Sequence, residues 1–288
     1  MAIIETKNLT FTYGIGTPFE QKALNNVSFS IEEGEFLGVI GHTGSGKSTL
    51  IQMLNGLIRP TSGQVLLRGR DIWEKPKEIR SVRFQVGMVF QYPEYQLFEE
   101  TVIRDIMFGP KNMGLSEKEA RERAVEAARV TQLREELLEK SPFELSGGEK
   151  RRAAIAGVLA MDPDVLILDE PTAGLDPRGR DVLLQQIHSY HKIRKNTILL
   201  VSHSMEDIGR VAKRVLVMNG SEMEMLCPVK EVFSKGEVLE RMGLRVPQIT
   251  QIMGFLRSAG VNVDPGTYTV EDALRQLLPL IHKRGDAN

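Results

Sequence analysis

The chain has 288 residues, of which 41% are hydrophobic and 26% charged, and its formal net charge at pH 7 is −1. A net charge this close to zero gives no overall positive potential that would recruit nucleic acid, although it does not exclude a local basic patch. One cysteine excludes an internal disulfide framework, and no apolar run approaches the ~20 residues of a membrane span, so we expect membrane contact only through a partner.

The first segments alternate in hydrophobicity and are separated by turns. Residues 3–13 alternate loosely, a loop rich in Gly and Pro follows, and Val27 to Ile31 alternates again. A strong turn at 59–63 precedes a third strand-like piece, Gln64 to Leu67. This arrangement predicts an antiparallel β subdomain.

A glycine-rich loop between a strand and a helix is the most informative stretch. Residues 36–40 are apolar, apolar side chains recur at helical spacing over 50–57, and GHTGSGKS occupies positions 41–48 between them. This matches G-x-x-x-x-G-K-[ST] in the strand–loop–helix context that a phosphate-binding loop requires. Backbone N–H groups of such a loop surround phosphate oxygens, Lys47 is predicted to reach the β- and γ-phosphates, and Ser48 to bind Mg²⁺. The sequence therefore predicts a nucleoside triphosphate site.

The middle of the chain alternates strands with helices. Apolar runs at 86–90, 165–168 and 198–201 are typical of strands buried on both faces of a parallel sheet. Ser116 and Glu119 predict a capping box at the start of one helix, and another is expected from Leu145 to Met161. Segments 215–218 and 223–226 predict a hairpin. The pattern indicates an α/β fold with a parallel sheet.

Beyond about residue 227 the sequence predicts two short amphipathic helices. Pro247 precedes the first, and Thr269 with Asp272 is expected to cap the second. Helices this short cannot bury an apolar face alone, so we expect them to pack on the main domain or to meet a partner.

Polar residues that follow the apolar strands supply candidate chemistry. Asp169 ends a buried strand, where a carboxylate is costly unless paired or metal-bound, and it is expected to hold Mg²⁺ through water. Glu170 is expected to accept a proton from the attacking water. From the end of another strand, the His203 imidazole could reach the γ-phosphate. Ser146, Gly147 and Gly148 begin a helix, whose bare N–H groups form an anion site.

Several motifs carry a resemblance to one family. LSGGEKRRAAIAGVL, at 145–159, resembles the signature of ATP-binding-cassette (ABC) ATPases, and VLILDEPTAGLD, at 165–176, resembles their Walker B motif and D-loop. Gln91, His203 and Tyr13 match the Q-loop glutamine, the switch histidine and the A-loop aromatic of that family. All the motifs stand in the family's order over residues 3 to about 226.

This resemblance implies a fold and its divisions. We expect an α/β P-loop NTPase cassette at 1–226, with an antiparallel β subdomain and a helical signature subdomain at about 92–160. A small α-helical extension is expected at 227–288.

The resemblance also implies ATP as the nucleotide and a role for each motif. The expected ATP-binding residues are Tyr13, stacked on adenine, and Gly41, His42, Thr43, Gly44, Ser45, Gly46, Lys47, Ser48 and Thr49. The catalytic residues are expected to be Glu170, His203 and Gln91, and the Mg²⁺ ligands Ser48, Asp169 and Gln91. Ser146, Gly147, Gly148 and Glu149, which stands where glutamine is frequent, are expected to bind the ATP held by a second cassette. Asp176 belongs to the D-loop.

A narrower resemblance points to energy-coupling factor (ECF) transporters. FQYPEYQLFEETVIRDIMFGPKNMGL, at 90–115, closely resembles the segment after the Q-loop in their ATPases, and GTPFEQKAL with GHTGSGKSTLIQMLNGL resembles the second of the two ATPase paralogues. The implied function is ATP-driven uptake of a vitamin or metal ion at the cytoplasmic face of the cell membrane.

The same resemblance implies three partners. They are a second cassette, identical or paralogous; a transmembrane coupling subunit docked on a helix and groove at Tyr92 to Phe98; and a separate substrate-capture membrane subunit. The C-terminal extension is expected to help the cassettes dimerise, and no nucleic acid is expected.

Two other functions compete with this interpretation. A soluble ABC ATPase acting on nucleic acid or ribosomes usually carries two cassettes, or coiled-coil or zinc insertions, with basic patches, and none is evident. A regulatory or scaffolding ATPase centred on the extension fits poorly with a complete catalytic set. The transported substrate and the identity of the second cassette stay open.

Overall fold

One antiparallel sheet and one largely parallel sheet form the framework of this computed structural model, in which residues 1–285 are described. The strands are β1 (Ala2–Tyr13), β2 (Gln21–Glu32), β3 (Phe36–Gly41), β4 (Ser62–Leu67), β5 (Arg70–Asp71), β6 (Val86–Val89), β7 (Val165–Asp169), β8 (Thr197–Val201), β9 (Arg214–Asn219) and β10 (Glu222–Pro228). The helices are α1 (Lys47–Leu54), α2 (Ile79–Gln85), α3 (Val102–Asn112), α4 (Glu117–Val130), α5 (Gly147–Leu159), α6 (Pro177–Arg194), α7 (Met205–Val211), α8 (Val229–Ser234), α9 (Gly236–Arg241), α10 (Gln248–Ser258) and α11 (Val270–Gly285).

The smaller sheet is antiparallel, as predicted. Its strand order is β2-β1-β4-β5, and the register of the first pair places Glu5 opposite Ser30. The sequence predicted only Val27 to Ile31 for β2, but the strand begins at Gln21. The extra length was missed because residues 21–26 alternate weakly and are mostly polar.

The larger sheet has the order β10-β9-β3-β8-β7-β6. Five neighbouring strands run parallel, and β10 pairs antiparallel with β9 as the predicted hairpin. Strand β7 shows why its sequence is continuously apolar: Leu166 and Leu168 join the core on one face of the sheet, and Val165 and Ile167 join the core on the other. The predicted α/β fold is confirmed.

Helices α3, α4 and α5 pack together on one side of this sheet. The predicted capping box of α4 forms, with Ser116 accepting a hydrogen bond from the Glu119 amide. Helix α3 was not predicted, because Gly109 and Pro110 lie in its last turns, yet Ile103, Ile106 and Met107 bury its inner face. The helix expected over Tyr92 to Phe98 was too long: only Pro93–Gln96 forms a short 3-10 turn, and Leu97 is extended.

The C-terminal extension divides its contacts between the main core and itself. Val232 and Phe233 of α8 are buried in the main core. Helices α10 and α11 share a smaller cluster around Met253, Val263 and Ala273. The predicted extension runs to residue 288, of which 286–288 lie outside the described residues. Within the described part of the chain, no helix has both the length and the apolar character needed to cross a membrane.

Candidate functional site

The carboxyl ends of the parallel strands meet at one edge of the larger sheet. Gly41 ends β3, Asp169 ends β7, and Val201 ends β8 two residues before His203. Because Asp169 pairs with Val201 across β7 and β8, the side chains that follow them converge. This edge is where ligands bind in open α/β sheets.

A cavity of about 400 Å³ opens at this edge. Its lining residues are Tyr13, Gln21, Ala23, Thr43, Gly44, Gly46, Lys47, Ser48, Thr49, Gln91, Asp169, Glu170, Val201 and His203. Every predicted catalytic and Mg²⁺-binding residue is therefore in one place. Gln21 and Ala23 were missed, since neither carries a charge or a motif that marks it as a site residue.

The phosphate-binding loop is built around glycines and one buried lysine. Gly46 caps α1 with a φ of 97°, and a Cβ there would collide with the backbone carbonyl of Ala23, so only glycine fits. The Lys47 ammonium donates to the carbonyls of Gly41 at 2.6 Å and His42 at 2.9 Å. Burial lowers the pKa of Lys47, while Glu170 and Asp169 oppose that shift. The amine is thus held at the loop, facing two carboxyl groups.

Tyr13 lies at the rim of the cavity. Its ring is 43% exposed, sits edge-on against Phe11 with centroids 4.7 Å apart, and its hydroxyl is 3.2 Å from the Thr49 hydroxyl oxygen. These two contacts hold the ring in place while the residue stays partly exposed. Such a ring can stack on a base.

Glu170 is the most perturbed acid of the site. Its backbone is left-handed, with φ of 49°, and one carboxylate oxygen is buried with no hydrogen-bond partner in the described structure. Burial, helped by the nearby Asp169 charge, raises the pKa of Glu170 to about 7, although the His203 amide and Lys47 act against the shift. A carboxyl group with a pKa near neutrality is suited to exchange a proton with water.

His203 faces Glu170 across the cavity. Its amide donates to one Glu170 oxygen at 3.3 Å, and its Nε2 lies 3.4 Å from the other. The second contact is ionic only when the imidazole is protonated, and burial together with Lys47 lowers the pKa of His203. We therefore treat His203 as neutral at pH 7, with a ring nitrogen available to a substrate oxygen.

The signature residues lie elsewhere. Ser146 and Gly147 are exposed at the start of α5, and none of residues 146–149 lines the cavity. Glu149 accepts from the Ser146 amide at 2.9 Å and from its hydroxyl at 2.7 Å, which completes a capping box. Those bonds, with a further one from Arg134, lower the pKa of Glu149 to about 2. Asp176 is also outside the cavity and caps α6 by accepting from the Gly179 amide at 2.7 Å.

A family profile and two known proteins similar to this chain agree on the family. The profile described as ABC transporter matches residues 24–173. The energy-coupling factor transporter ATP-binding protein EcfA2 of Caldanaerobacter subterraneus subsp. tengcongensis is 52% identical over 285 residues, covering 99% of both chains. The EcfA2 protein of Clostridium acetobutylicum is 53% identical over 279 residues, covering 96% of this chain and 98% of the relative.

Solved structures share the fold. CbiO1 from Clostridium perfringens, described as part of the ABC transporter complex CbiONQ, superimposes with a TM-score of 0.74 at 38% identity, covering 88% of this chain and 99% of that one. The cassette MJ0796, solved as a dimer in a post-hydrolysis state with ADP and Pi, gives a TM-score of 0.71 at 29% identity, covering 78% and 98%.

Proposed function

This chain belongs to the ABC transporter family, among the ATP-binding proteins of energy-coupling factor transporters, and from that premise we propose how it works: ATP binding and hydrolysis in a dimer of cassettes drive uptake of a micronutrient, a vitamin or a metal ion, through membrane partners. The observation that carries the proposal is the convergence of Lys47, Asp169, Glu170 and His203 on one cavity behind a phosphate-binding loop.

Hydrolysis follows from the residues of that cavity. Lys47 and the loop amides bind the phosphates, and Tyr13 stacks on adenine. Glu170 accepts the proton of the attacking water, and neutral His203 holds the γ-phosphate in line with it. Gln91, two residues beyond the end of β6, orients the same water.

The donor set also fits Mg²⁺. Ser48, Asp169 and Gln91 line the cavity with a hydroxyl, a carboxylate and an amide oxygen, all hard donors of the kind this ion prefers. Burial raises the pKa of Asp169 while Lys47 lowers it, so a second cation beside it would favour the carboxylate. When bound, Mg²⁺ supplies positive charge to the phosphate oxygens, and these three residues would hold it.

A second cassette completes the site. Since Ser146 and Gly147 are exposed and residues 146–149 lie outside their own chain's cavity, we propose that these four residues bind the γ-phosphate of ATP held by a second cassette, identical or paralogous. The extension, 227–288, contributes to this dimer through apolar side chains that α10 and α11 leave open. Phe255 is 74% exposed, and Ile252 and Leu274 are each about half exposed.

The membrane partners dock beside the Q-loop. Tyr95, within the short turn at Pro93–Gln96, is 84% exposed, and Phe98, two residues after that turn, is 60% exposed. Such aromatic side chains are suited to an interface. We place there a transmembrane coupling subunit, which works with a separate substrate-capture membrane subunit. The chain thus acts as a peripheral subunit at the cytoplasmic face of the membrane.

The cycle is a population shift. ATP favours the closed dimer only to the extent that it binds that state more tightly than the open one, and hydrolysis removes the γ-phosphate link so that the dimer opens. Movement near Gln91 then reorients the membrane partners.

Copurification tests the transport function. The chain is tagged in its native cell, membranes are solubilised in mild detergent, and the proteins recovered with it are identified. A second cassette ATPase together with integral membrane proteins is the expected result. Recovery only from the soluble fraction, alone or with nucleic acid, would leave the ATPase chemistry and overturn the transport function.

A further inference from the structure

One buried arginine connects three segments that the mechanism uses separately. Arg151 lies in the second turn of α5, two residues after Glu149, and is only 5% exposed. On one side its Nε and Nη2 donate to the two carboxylate oxygens of Glu94, at 3.0 and 2.7 Å. Glu94 belongs to the short turn after Gln91, so this pair joins the signature helix to the proposed docking segment.

The other side of the same guanidinium binds backbone. Nη1 donates to the carbonyl oxygens of Pro171 at 3.2 Å and Ala173 at 2.6 Å. These residues form the turn that follows Glu170, and the Ala173 amide itself donates to the Glu170 carbonyl at 3.1 Å. Four of the five guanidinium N–H groups are therefore used, two toward each segment.

The pairing is a buried, two-pronged ion pair. The Glu94 side chain is 15% exposed. Burial is the largest single influence on the pKa of its carboxyl group and raises it, but the hydrogen bonds from Arg151, a backbone hydrogen bond and the charge of Arg151 together lower that pKa below its usual value. Glu94 is thus ionised at neutral pH. Lysine could supply the charge but not the planar fork that reaches four acceptors at fixed angles.

We propose that Arg151 is a positioning residue for ATP hydrolysis: through Glu94 and the carbonyls of Pro171 and Ala173, it holds the segment after Gln91 and the turn after Glu170 in one fixed relation to the signature helix. Arg151 does not line the ATP cavity, so it positions the turn after Glu170 without contacting the nucleotide.

Hydrogen exchange and steady-state kinetics test this together. Arg151→Lys is compared with the isosteric Glu94→Gln, which keeps the shape and removes the charge. We expect faster amide exchange in both 92–98 and 171–176 with no change in 41–48, and a kcat about tenfold lower with KM for ATP within about twofold. In the double variant, kcat is expected to fall no further than in the worse of the two single variants, because both substitutions remove the same link.

A matched control comes from the same helical region. Arg121 pairs with Glu139 at 2.6 Å, but the two side chains are 54% and 65% exposed, so Arg121→Lys is expected to change neither exchange nor kcat. The proposal would be overturned by faster exchange in only one of the two segments or by exchange raised evenly over the chain. A rise in KM for ATP that parallels the fall in kcat, or additive effects on kcat in the double variant, would overturn it as well. The exchange readout needs no membrane partner, so failure of the transport function would leave this test valid.

Discussion

The phosphate-binding loop and the signature segment both lie at helix N-termini, yet their contacts within the chain differ. The loop is bound into its own chain: Lys47 is 7% exposed and hydrogen-bonded to two loop carbonyls, and the loop faces Asp169, Glu170 and His203. The signature at Ser146 and Gly147 is exposed and satisfied by its own capping box. Our proposal therefore assigns the loop to ATP held by the same chain and the signature to ATP held by a second chain.

This difference separates binding from hydrolysis. A single chain has the groups needed to hold ATP, because lysine, loop amides and Tyr13 share one cavity. In the proposed mechanism, turnover also needs the signature of a second chain, because residues 146–149 lie outside their own chain's cavity. Mutations on the two sides should therefore affect different steps.

The largest effect is expected on the loop side. Glu170→Gln removes the proton acceptor but keeps the shape of the side chain, so turnover should fall by about 10²–10⁴-fold. ATP binding, measured with a fluorescent nucleotide, should be unchanged, and the closed dimer should accumulate. Near-wild-type hydrolysis would rule out Glu170 as the base.

A comparable loss of turnover with a different cause is expected on the signature side. In Ser146→Arg, a bulky cation blocks the approach of the partner's phosphate, and the loss of a positioned donor set lowers kcat by about 10²-fold or more. Because Ser146 is outside its own cavity, the affinity of one chain for ATP should stay within about twofold. A marked loss of ATP affinity in the isolated chain would break the separation between the two regions.

Tyr13→Ala should produce a smaller change, confined to binding. Stacking of a base on an aromatic ring is worth about 1–3 kcal/mol, which predicts an ATP affinity weaker by about 5- to 150-fold. Tyr13→Phe keeps the ring and loses only the contact with Thr49, so its affinity should stay near that of the wild type. Equal effects of the two variants would assign the role to the hydroxyl.

The smallest effect concerns the capping box of the signature. The pKa of Glu149 is about 2 in the folded chain, against 4.5 as its ordinary value. Ionised Glu149 therefore stabilises the folded chain above pH 4.5, and this stabilisation is lost as the pH falls from 4.5 toward 2. Glu149→Gln can still accept the Ser146 hydrogen bonds but does not titrate. The difference in unfolding free energy between the two proteins should therefore shrink between those pH values, as followed by denaturant titration. A difference that stays constant down to pH 2 would mean that the capping contact does not depend on the charge.

Motifs with fixed spacing made most of the loop side predictable. Residues 41–48 match the phosphate-binding-loop pattern in full, which predicts their structure directly. Asp169, Glu170 and His203 each come at or just after the end of an apolar run long enough to be a buried strand. Parallel strands bring such residues to one edge, so convergence followed from the strand pattern. Gln21 and Ala23 could not be found this way, since their placement depends on how the two sheets pack.

Arg151 shows a different limit of sequence reasoning. In the run Lys150-Arg151-Arg152 the three cations look equivalent, and nothing in their spacing shows that one is buried with four hydrogen bonds. Its partners are 57, 20 and 22 residues away in the chain. Helix α3 was missed for a local reason, because Gly109 and Pro110 weaken its pattern although tertiary packing keeps it helical.

The central claim, that the signature of one cassette completes the ATP site of another, is tested most directly by sedimentation velocity of Glu170→Gln with saturating Mg-ATP. The chain is measured alone and mixed with any second cassette recovered by copurification, and each measurement is repeated with Ser146→Arg added. The account predicts an ATP-dependent dimer that Ser146→Arg abolishes while nucleotide remains bound. A dimer of equal stability with Ser146→Arg, or ATP-saturated chains that stay monomeric in every mixture, would contradict it.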